Sequence, residues 1–441
     1  MKIPKFIRDN LLLKITSLNT VVIAIRLFIS IFIQRLLAEM VGEAGIAKIG
    51  QLRNVSELIT SFSSFGVFTG VVKYVAEHKE DKDQLQKLFS TVFVLSIAGI
   101  VTSFLVLFFW AAEISDYLFV TTDYAYLIKL LAVIVPFISL YRIFNGVVNG
   151  LSQYKKFAKI DLFSYLASAG LMVWFLLQYN IDGALIAIVV TPAIQLSMLL
   201  FIFFKVLREY INFSKLSFKV PMLNVLLAFS LMSFFSTVLL NLVTIEIRSM
   251  ITDRITEEDA GIWTAMTFIS KNYMVFSGAL FTLYVLPKFS GIHTEQKFKK
   301  ELFSIYKTLL PLFGLGMLAV YFLREYLVLL IYPGFDDMLP LFKWQLLGDF
   351  IRLASLVLMH QFLAKKLVKS FIFSEVVSLS LFYILAHYLV EQYGIEGVTI
   401  AHFIRYIIYF AVVFFLIMHY FNKQRTKPEV LTTNDDDDES Q

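Results

Sequence analysis

Long apolar segments recur along the chain, and short polar connections separate them. Each segment holds about 20 residues or more, the length that a helix needs to cross the hydrocarbon of a bilayer. The first six run over residues 17–40, 47–72, 88–111, 128–150, 157–177 and 183–204. Six more follow over residues 221–245, 261–285, 304–322, 339–363, 371–390 and 397–420. The pattern predicts an all-α polytopic membrane protein with twelve transmembrane helices.

The charge of the connections alternates along the chain. Basic residues dominate the connections 73–87, 155–159, 205–219, 288–300 and 365–369. The connections between these are mostly acidic and short, and the longest is expected to be a loop from residue 111 to 128. Because cytoplasmic connections of membrane proteins are enriched in lysine and arginine, the alternation predicts that both termini are cytoplasmic.

Two short motifs occur once in each half of the chain. Residues 43–46 read EAGI and 259–262 read DAGI, while residues 178–183 read QYNIDG and 392–397 read QYGIEG. The nearly equal spacing indicates two copies of a six-helix unit in the same orientation. The predicted organisation is an N-terminal lobe, a cytoplasmic link, a C-terminal lobe and a disordered acidic tail, over residues 1–204, 205–220, 221–421 and 422–441.

Composition excludes several classes of protein. Hydrophobic residues make up 58% of the chain and charged residues only 17%, which rules out an ordinary soluble domain. The net charge of +5 is explained by the basic connections, so no nucleic-acid partner is expected. The chain has no cysteine and no recognisable catalytic, phosphate-loop or metal-ligand motif. We therefore expect neither an enzyme nor a cofactor or metal.

Charged and polar residues inside the apolar segments are the candidates for function. A charge near the bilayer centre costs about 2.5–3.5 kcal/mol, so it should face a partner or a watery cavity. Arg26 and Arg142 stand out because neither has an acid within one turn of its own helix. The candidate substrate-binding cations are Arg26, Arg53, Arg142, Arg248, Lys271, Arg352 and Arg405. The candidates for glycan contact or ion coupling are Glu57, Asn145, Asn149, Asp161, Asn241, Asp349 and Glu375.

Structural explanations compete with these assignments. Arg53 with Glu57 and Asp349 with Arg352 have the spacing of ion pairs on one helix. Arg248 lies close enough to a helix end to reach the interface. Lysines in the connections, such as Lys365 and Lys366, are interpreted as topology signals.

The surplus of cations favours an anionic substrate. A guanidinium group binds phosphate oxygens through paired, charge-assisted hydrogen bonds, and Asn, Gln, Ser and Thr side chains bind sugar hydroxyls. A diphosphate that carries a sugar on one side and a lipid tail on the other suits such a cavity.

Four stretches resemble a known family. Residues 70–77 (GVVKYVAE), 261–290, 344–349 (WQLLGD) and 373–378 (FSEVVS) are similar to the Wzx-type flippases of bacterial polysaccharide assembly. The resemblance covers nearly all of the apolar segments. It implies the multidrug/oligosaccharidyl-lipid/polysaccharide exporter fold, with two six-helix lobes in a V around a central cavity.

The resemblance also implies site residues and a substrate. Arg53, Arg248 and Asp349 fall on matching residues of the family, and Arg26 keeps a cation, whereas Lys271 and Arg142 depart from the pattern. The implied activity is translocation of an undecaprenyl-diphosphate-linked oligosaccharide, an O-antigen unit or lipid III, across the bacterial inner membrane. Membrane lipids, a polysaccharide polymerase and a chain-length regulator are the expected partners of a monomer.

Two alternatives remain open from the sequence. A cation-coupled multidrug exporter of the same superfamily would need a cavity dominated by acids. A membrane glycan polymerase or ligase would need a larger site outside the membrane than these short connections provide.

Overall fold

The structure of the protein is a computed structural model that describes residues 11–425. Side chains are described from residue 22 onward, apart from residues 154, 228–229, 276, 279–280, 282–283 and 425. The predicted acidic tail lies almost wholly outside the described residues. The described part is helical and contains no β-strand.

The helices follow the predicted apolar segments. In the first half they are α1 (Leu11–Ser64), α2 (Phe68–His78), α3 (Lys82–Phe109), α4 (Ala111–Phe119), α5 (Ala125–Gly150) and α6 (Tyr154–Tyr210). In the second half they are α7 (Leu223–Arg254), α8 (Glu257–Leu280), α9 (Leu286–Ser290), α10 (Glu295–Phe322), α11 (Arg324–Ile331), α12 (Leu341–Ala364), α13 (Val368–Tyr393) and α14 (Ile395–Arg425). Short 3₁₀ turns at Phe213–Lys215 and Asp336–Met338 and a π turn at Phe281–Val285 complete the described chain.

Eight of the described helices are long and apolar enough to cross a membrane. The longest of them, residues 155–210, bends sharply at Asn180 and therefore holds two of the predicted segments. Helix α1 bends in the same way at Gly42, between the first and second predicted segments. The number of twelve spans stays a prediction.

The connection predicted as a loop from residue 111 to 128 is partly helical. Helix α4 occupies its first nine residues, and Ser115, Leu118 and Phe119 of that helix are buried. A second short helix, α11, follows the ninth predicted segment. Both were missed because the apolar residues of a short amphipathic helix cannot be separated from the end of the preceding span.

The QYNIDG and QYGIEG motifs build the same sharp turn in the two halves. Asn180 (φ 48°, ψ −131°) and Gly394 (φ 57°, ψ −144°) occupy nearly the same unusual backbone region. Three residues later, a β-carbon at Gly183 or Gly397 would overlap the carbonyl oxygen of Phe175 or Leu389. The turn therefore requires glycine where the two helices meet, and the internal repeat extends to backbone geometry.

Each half also interrupts its second predicted span. In the first half Phe65 (φ 47°) and Gly66 (φ 63°) separate α1 from α2. In the second half the π turn separates α8 from α9. Interruptions of this kind inside a membrane are tolerated where they border a cavity or packed protein.

Side-chain caps fix the starts of two helices that position the site. Asp81 Oδ1 accepts hydrogen bonds from the backbone N–H groups of Asp83 and Gln84 at the start of α3. Thr256 Oγ1 accepts from Asp259 N at 3.0 Å at the start of α8. The first turn of α8 carries three acids, which favour the positive end of the helix dipole.

The two halves of the chain pack against each other along α1, α7 and α8. The packing is closest where a β-carbon at Gly261 of α8 would overlap the Glu43 carbonyl oxygen. We call this the acidic end, after Glu43, Glu257 and Asp337. At the opposite, basic end, which carries Lys73, Lys288 and Lys365, a cavity of about 580 Å³ lies between α2, α7 and the turn from α12 to α13.

Candidate functional site between the two halves

Arg248 joins the two halves near the acidic end. Its side chain, on α7, is only 2% exposed. Its guanidinium donates to Gln51 Oε1 at 2.9 Å and Asn54 Oδ1 at 3.1 Å, both on α1, and to Thr264 Oγ1 at 2.8 Å on α8. Arg248 therefore lies inside the packed contact and does not extend to the membrane interface.

Further polar contacts extend this contact along α1 and α7. Gln51 Nε2 donates to Ser249 Oγ at 2.9 Å, and Asn54 Nδ2 donates to Asn241 Oδ1 at 2.7 Å. Gln51, Asn54, Asn241, Arg248, Ser249 and Thr264 form what we call the inter-half network. Arg248 has no carboxylate within ion-pairing distance among the described residues, so neutral acceptors hold it.

Charged contacts also hold the two halves together at the acidic end. Lys48 Nζ of the first half lies 3.5 Å from Glu257 Oε1 of the second half, and the Tyr117 hydroxyl donates to Glu246. Burial, followed by repulsion from Asp337, Glu258 and Asp259, raises the pKa of Glu43. The acids at this end thus repel one another while hydrogen bonds and Lys48 hold the halves together.

Arg53 and Lys271 lie between the halves and have no hydrogen-bond or ion-pair partner among the described residues. Arg53 on α1 lies over the ring of Phe268, with 5.9 Å from its Cζ to the ring centroid. Lys271 on α8 is exposed, and Glu57, Arg248, Arg53 and Arg352 are its charged neighbours. The predicted ion pair between Arg53 and Glu57 is not formed. These two cations are available to an anion that lies between the halves.

Arg26 and Arg142 differ in their surroundings. Arg26 Nη1 lies 2.7 Å from Asp161 Oδ2 on α6, and Tyr165 of α6 donates to the Arg26 carbonyl at 3.1 Å. Arg142 on α5 has no hydrogen-bond or ion-pair partner among the described residues, and its Cζ lies 3.9 Å from the centroid of Phe68. The acid that Arg26 lacks on its own helix therefore comes from another helix.

Asn145 and Asn149 follow Arg142 on α5. The Asn149 side chain donates to the Asn145 carbonyl at 2.8 Å, and both side chains are partly buried. The pair extends the polar face of α5 away from Arg142.

Asp349 is the centre of a polar cluster within the second half. Its side chain is fully buried and accepts hydrogen bonds from Ser270 and Tyr273, each at 2.5 Å, and from Gln345 at 3.0 Å. His402 Nε2 lies 3.1 Å and Arg352 Nη1 3.6 Å from its other oxygen. The ion pair of Asp349 with Arg352, which their spacing allows, is formed within α12. The whole cluster ties α8, α12 and α14 together.

Arg405 and Glu375 are also engaged inside the second half. Arg405 donates to Ser378 Oγ at 2.8 Å and lies over the rings of Phe382 and Tyr406. Glu375 accepts from Tyr409 at 2.7 Å and from Ser236 at 3.3 Å. Ser236 also lines the cavity, so Glu375 lies directly behind the cavity wall.

The cavity at the basic end brings together residues that the sequence did not single out. Lys73 and Lys366 line it together with Thr69, Ser233, Ser236 and Thr237. From the sequence Lys366 was interpreted only as a topology signal, because a residue in a connecting turn shows no helical spacing. No pattern in the sequence distinguishes Lys366 from Lys365, which donates instead to the Ser290 carbonyl at 2.9 Å.

Comparison with solved structures identifies the fold. An inward-facing multidrug resistance MATE family transporter of the MOP superfamily matches with a TM-score of 0.69 and 14% identity, over 91% of this chain and 96% of that chain. The lipid II flippase MurJ, in an inward closed conformation, matches with a TM-score of 0.68 and 17% identity, over 90% and 87%. The predicted all-α polytopic membrane fold of the exporter superfamily is thereby confirmed.

Curated relatives and a family profile narrow the class to a family. The lipid III flippases of Escherichia coli (strain K12) and Shigella flexneri are each 26% identical over 386 residues, 87% of this chain and 92% of theirs. The profile described as polysaccharide biosynthesis protein matches residues 15–334. The chain belongs to this polysaccharide biosynthesis protein family, and the resemblance to the flippases of polysaccharide assembly is confirmed.

Proposed function

We propose that the chain is a flippase that carries an undecaprenyl-diphosphate-linked oligosaccharide from the cytoplasmic to the periplasmic leaflet of the bacterial inner membrane. The names of its relatives, lipid III flippases and a lipid II flippase, support a non-enzymatic transporter of this kind. An O-antigen unit and lipid III both fit the chemistry of the substrate.

The observation that carries the proposal is the pair of cations between the halves, Arg53 and Lys271, for which the described part of the chain offers no hydrogen-bond or ion-pair partner. Arg53 belongs to the first half and Lys271 to the second. Arg53 and the acid Glu57 are both charged neighbours of Lys271. A diphosphate supplies the negative charges that would offset the cost of two cations held at membrane depth. The guanidinium of Arg53 binds phosphate oxygens in pairs, while the ammonium of Lys271 acts as a point charge.

Transport follows from alternating access to these cations. In the state described, the inter-half network closes the acidic end and the cavity opens at the basic end. Movement of the halves about α1 and α7 would separate Gln51 and Asn54 from Arg248 and release the Arg248 charge. Arg248 would then join the cations that face the substrate, while Arg142 and the Asn145–Asn149 face border its path.

Acids inside the apolar segments would couple transport to an ion gradient. Asp161, Asp349 and Glu375 are the candidates to exchange a proton or counter-ion as the cavity changes sides. Asp161 and Glu375 are only partly buried and each contacts a group beside the predicted path, Arg26 and Ser236 respectively. Transport that persists after the proton and sodium gradients are collapsed would exclude coupling.

The proposed topology places the basic end and both termini in the cytoplasm, with two six-helix halves joined by residues 205–220. The protein would act as a monomer among membrane lipids. A polysaccharide polymerase and a chain-length regulator would take up the unit that it delivers.

Complementation tests the proposal. A bacterial strain that lacks its lipid III flippase would express wild type, Arg53→Gln or Lys271→Gln at matched levels. We expect wild type to restore the surface glycan and each variant to reduce it about tenfold or more, because each loses a charge-assisted contact to the diphosphate.

Arg324→Gln is the matched control. Arg324 lies at the start of α11 beside Glu325 and donates to the Tyr321 carbonyl at 2.8 Å, away from the cavity. Its loss should leave complementation unchanged. Full rescue by both Arg53→Gln and Lys271→Gln would exclude Arg53 and Lys271 as the diphosphate site. Failure of well-expressed wild type would exclude lipid III as a substrate.

A further inference from the structure

His402 of α14 contacts a buried carboxylate and an amide through one ring nitrogen. Its Nε2 lies 3.1 Å from Asp349 Oδ1 and 3.3 Å from Gln345 Nε2, both on α12. The carboxylate favours the ring form that carries a hydrogen on Nε2. Nδ1 has no hydrogen-bond partner in the described part of the chain. The ring can therefore add a proton at Nδ1 and keep its contact with Asp349.

The packing around the ring fixes its position. A β-carbon at Gly348 of α12 would lie 2.4 Å from His402 Cδ2, so only glycine allows this approach of the two helices. Helix α13 packs against the ring with Phe382, at 6.0 Å between the ring centroids. A charge that appears on His402 therefore stays at a defined place in the second half.

His402 is better placed than Asp349 to exchange a proton. The Asp349 side chain is fully buried, and its Oδ2 accepts three hydrogen bonds that stabilise the anion. The His402 side chain is 12% exposed. Imidazole is also the side chain whose charge ordinarily changes near neutral pH. Asp349 thus supplies a fixed negative charge, beside which His402 can be neutral or charged.

Positive charge already exceeds negative charge around His402. Its charged neighbours in the described chain are Asp349, Arg405 and Arg352. Arg352 Nη1 lies 3.6 Å from the same Asp349 oxygen that His402 contacts, and the Tyr406 ring lies 4.9 Å from the imidazole. One acid faces two arginines, so a proton on His402 enlarges a surplus that a nearby anion would offset.

Helix α8 connects this cluster to the space between the halves. Ser270 and Tyr273 donate to Asp349, and Lys271, which lies between them in the sequence, is exposed. Arg352 is a charged neighbour of Lys271 as well as a member of the cluster. An anion that binds beside Lys271 therefore acts on the charge of the cluster through a short, fixed path.

The two binding events must strengthen each other. A diphosphate at Arg53 and Lys271 stabilises the positive form of His402, because opposite charges attract strongly away from bulk water. A proton on His402 then strengthens diphosphate binding by the same factor, since such coupling is reciprocal. The sign follows directly: the diphosphate should bind more tightly as the pH falls through the range in which histidine titrates.

We propose that His402 is the proton-coupling residue of the transport site, and that it takes up one proton from water when a diphosphate binds at Arg53 and Lys271. The proton leaves when the diphosphate leaves. This inference rests on the proposed function, which supplies the diphosphate site. It adds the group that carries the proton, beside an aspartate that keeps its charge.

Calorimetry on the purified full chain in detergent tests the linkage. The probe is a diphosphate diester with one farnesyl and one glucosyl group, because neither of its phosphates titrates near neutral pH. Two buffers of different ionisation enthalpy, neither of them phosphate, give the number of protons taken up on binding. We expect wild type to bind about fivefold more tightly at about pH 6 than at about pH 8. It should take up a fraction of one proton near neutral pH.

His402→Gln keeps a donor for Asp349 but cannot titrate. It should bind like wild type at about pH 8, change its affinity less than about twofold down to about pH 6, and take up no proton. His387→Gln is the matched control, since it removes another histidine of the second half, whose Nδ1 contacts the Tyr383 carbonyl of its own helix at 2.9 Å. This control should keep the pH dependence of wild type.

Nuclear magnetic resonance of the histidine rings in wild type gives a readout that does not depend on a variant. The chain has six histidines. One of their signals should titrate at a clearly higher pH when the diester is bound. If no signal changes its titration, His402 does not take up the proton and the inference is overturned.

The calorimetric outcomes separate this inference from the proposed function. Wild-type pH dependence in His402→Gln would overturn the role of His402, and so would wild-type binding without proton uptake. In both cases, affinity that is lost in Arg53→Gln leaves the flippase proposal standing. If wild type binds no diester at any pH, the diphosphate site itself is wrong and the proposed function fails with it.

Discussion

The charged side chains inside the apolar helices fall into two kinds. Arg26, Arg248 and Arg405 have hydrogen-bond partners on other helices or side chains. Arg53 and Arg142 have only aromatic rings as contacts among the described residues. An unpartnered cation in a membrane protein is costly. We therefore infer that Arg53 and Arg142 keep their charge for a ligand, whereas the charges of Arg26, Arg248 and Arg405 serve packing.

Asp349 is the residue whose loss should affect stability most. Asp349→Asn removes the negative charge that faces His402 and Arg352 and weakens the hydrogen bonds from Ser270 and Tyr273. We expect a loss of roughly 2–3 kcal/mol in the free energy of unfolding, because the Arg352 cation is left beside a buried neutral group. Thermal unfolding in detergent measures the change.

Asp337→Asn is the control for charge alone, since Asp337 is exposed on a 3₁₀ turn. Its melting temperature should stay near that of wild type. A stable, inactive Asp349→Asn would instead indicate that Asp349 acts mainly in transport, through proton or ion exchange.

The sequence predicted which buried positions are polar but not their partners. Helical spacing identified Arg26, Arg53 and Asp349, and it raised the Asp349–Arg352 ion pair as a possibility that the structure shows. It could not link Arg26 to Asp161, because that contact joins helices far apart in the chain. It left open an ion pair of Arg53 with Glu57 that the structure does not form, since spacing on one helix does not fix side-chain direction.

At the scale of helices, the repeated motifs were the most informative part of the sequence. The similar sequences of residues 178–183 and 392–397 form turns with matching backbone angles. The interruptions of the second spans were missed because Phe65 and Leu283 look like ordinary apolar residues in a span. Apolar composition finds where a helix crosses the membrane, whereas local breaks depend on tertiary packing.

The turn within α6 holds a non-glycine residue, Asn180, in a strained backbone conformation. The equivalent turn between α13 and α14 has glycine there and avoids this strain. Asn180 adopts backbone angles that suit glycine, and Gly394 is glycine at the equivalent position. Asn180→Gly should therefore stabilise the protein by about 1 kcal/mol, and Gly394→Asn should destabilise it by a similar amount. Thermal unfolding of the two single variants in detergent tests both signs.

The double variant that exchanges the two residues serves as the control. Its stability should lie near that of wild type, because the sites are far apart and their effects should add. If Asn180→Gly destabilises the protein, the Asn180 side chain makes a contact that outweighs the backbone strain.

At the scale of the whole molecule, the two ends of the contact between the halves differ in chemistry. The acidic end is closed by hydrogen bonds between neutral groups, by Arg248 and by Lys48. A hydrogen bond of this kind contributes a net 0.5–1.5 kcal/mol or so. A few such contacts hold the closed state without making it permanent, which alternating access requires.

Holding the inter-half network together should therefore stop transport. Gln51→Cys and Ser249→Cys place one thiol on each half at positions whose side chains are hydrogen-bonded at 2.9 Å. The natural chain has no cysteine, so a short, reducible bis-methanethiosulfonate reagent can link only these two thiols. We expect the link to abolish lipid-linked oligosaccharide transport in proteoliposomes and a reductant to restore it.

The single-cysteine variants treated alike should stay active, because neither can join the halves. Since the link leaves Arg53 and Lys271 in place, the linked protein should still bind farnesyl diphosphate, a short prenyl diphosphate, like the unlinked protein. Lost transport with retained binding would then place the block at the opening step. Transport that continues in fully linked protein would mean that α1 and α7 do not separate here, and the acidic end would have to open by another route.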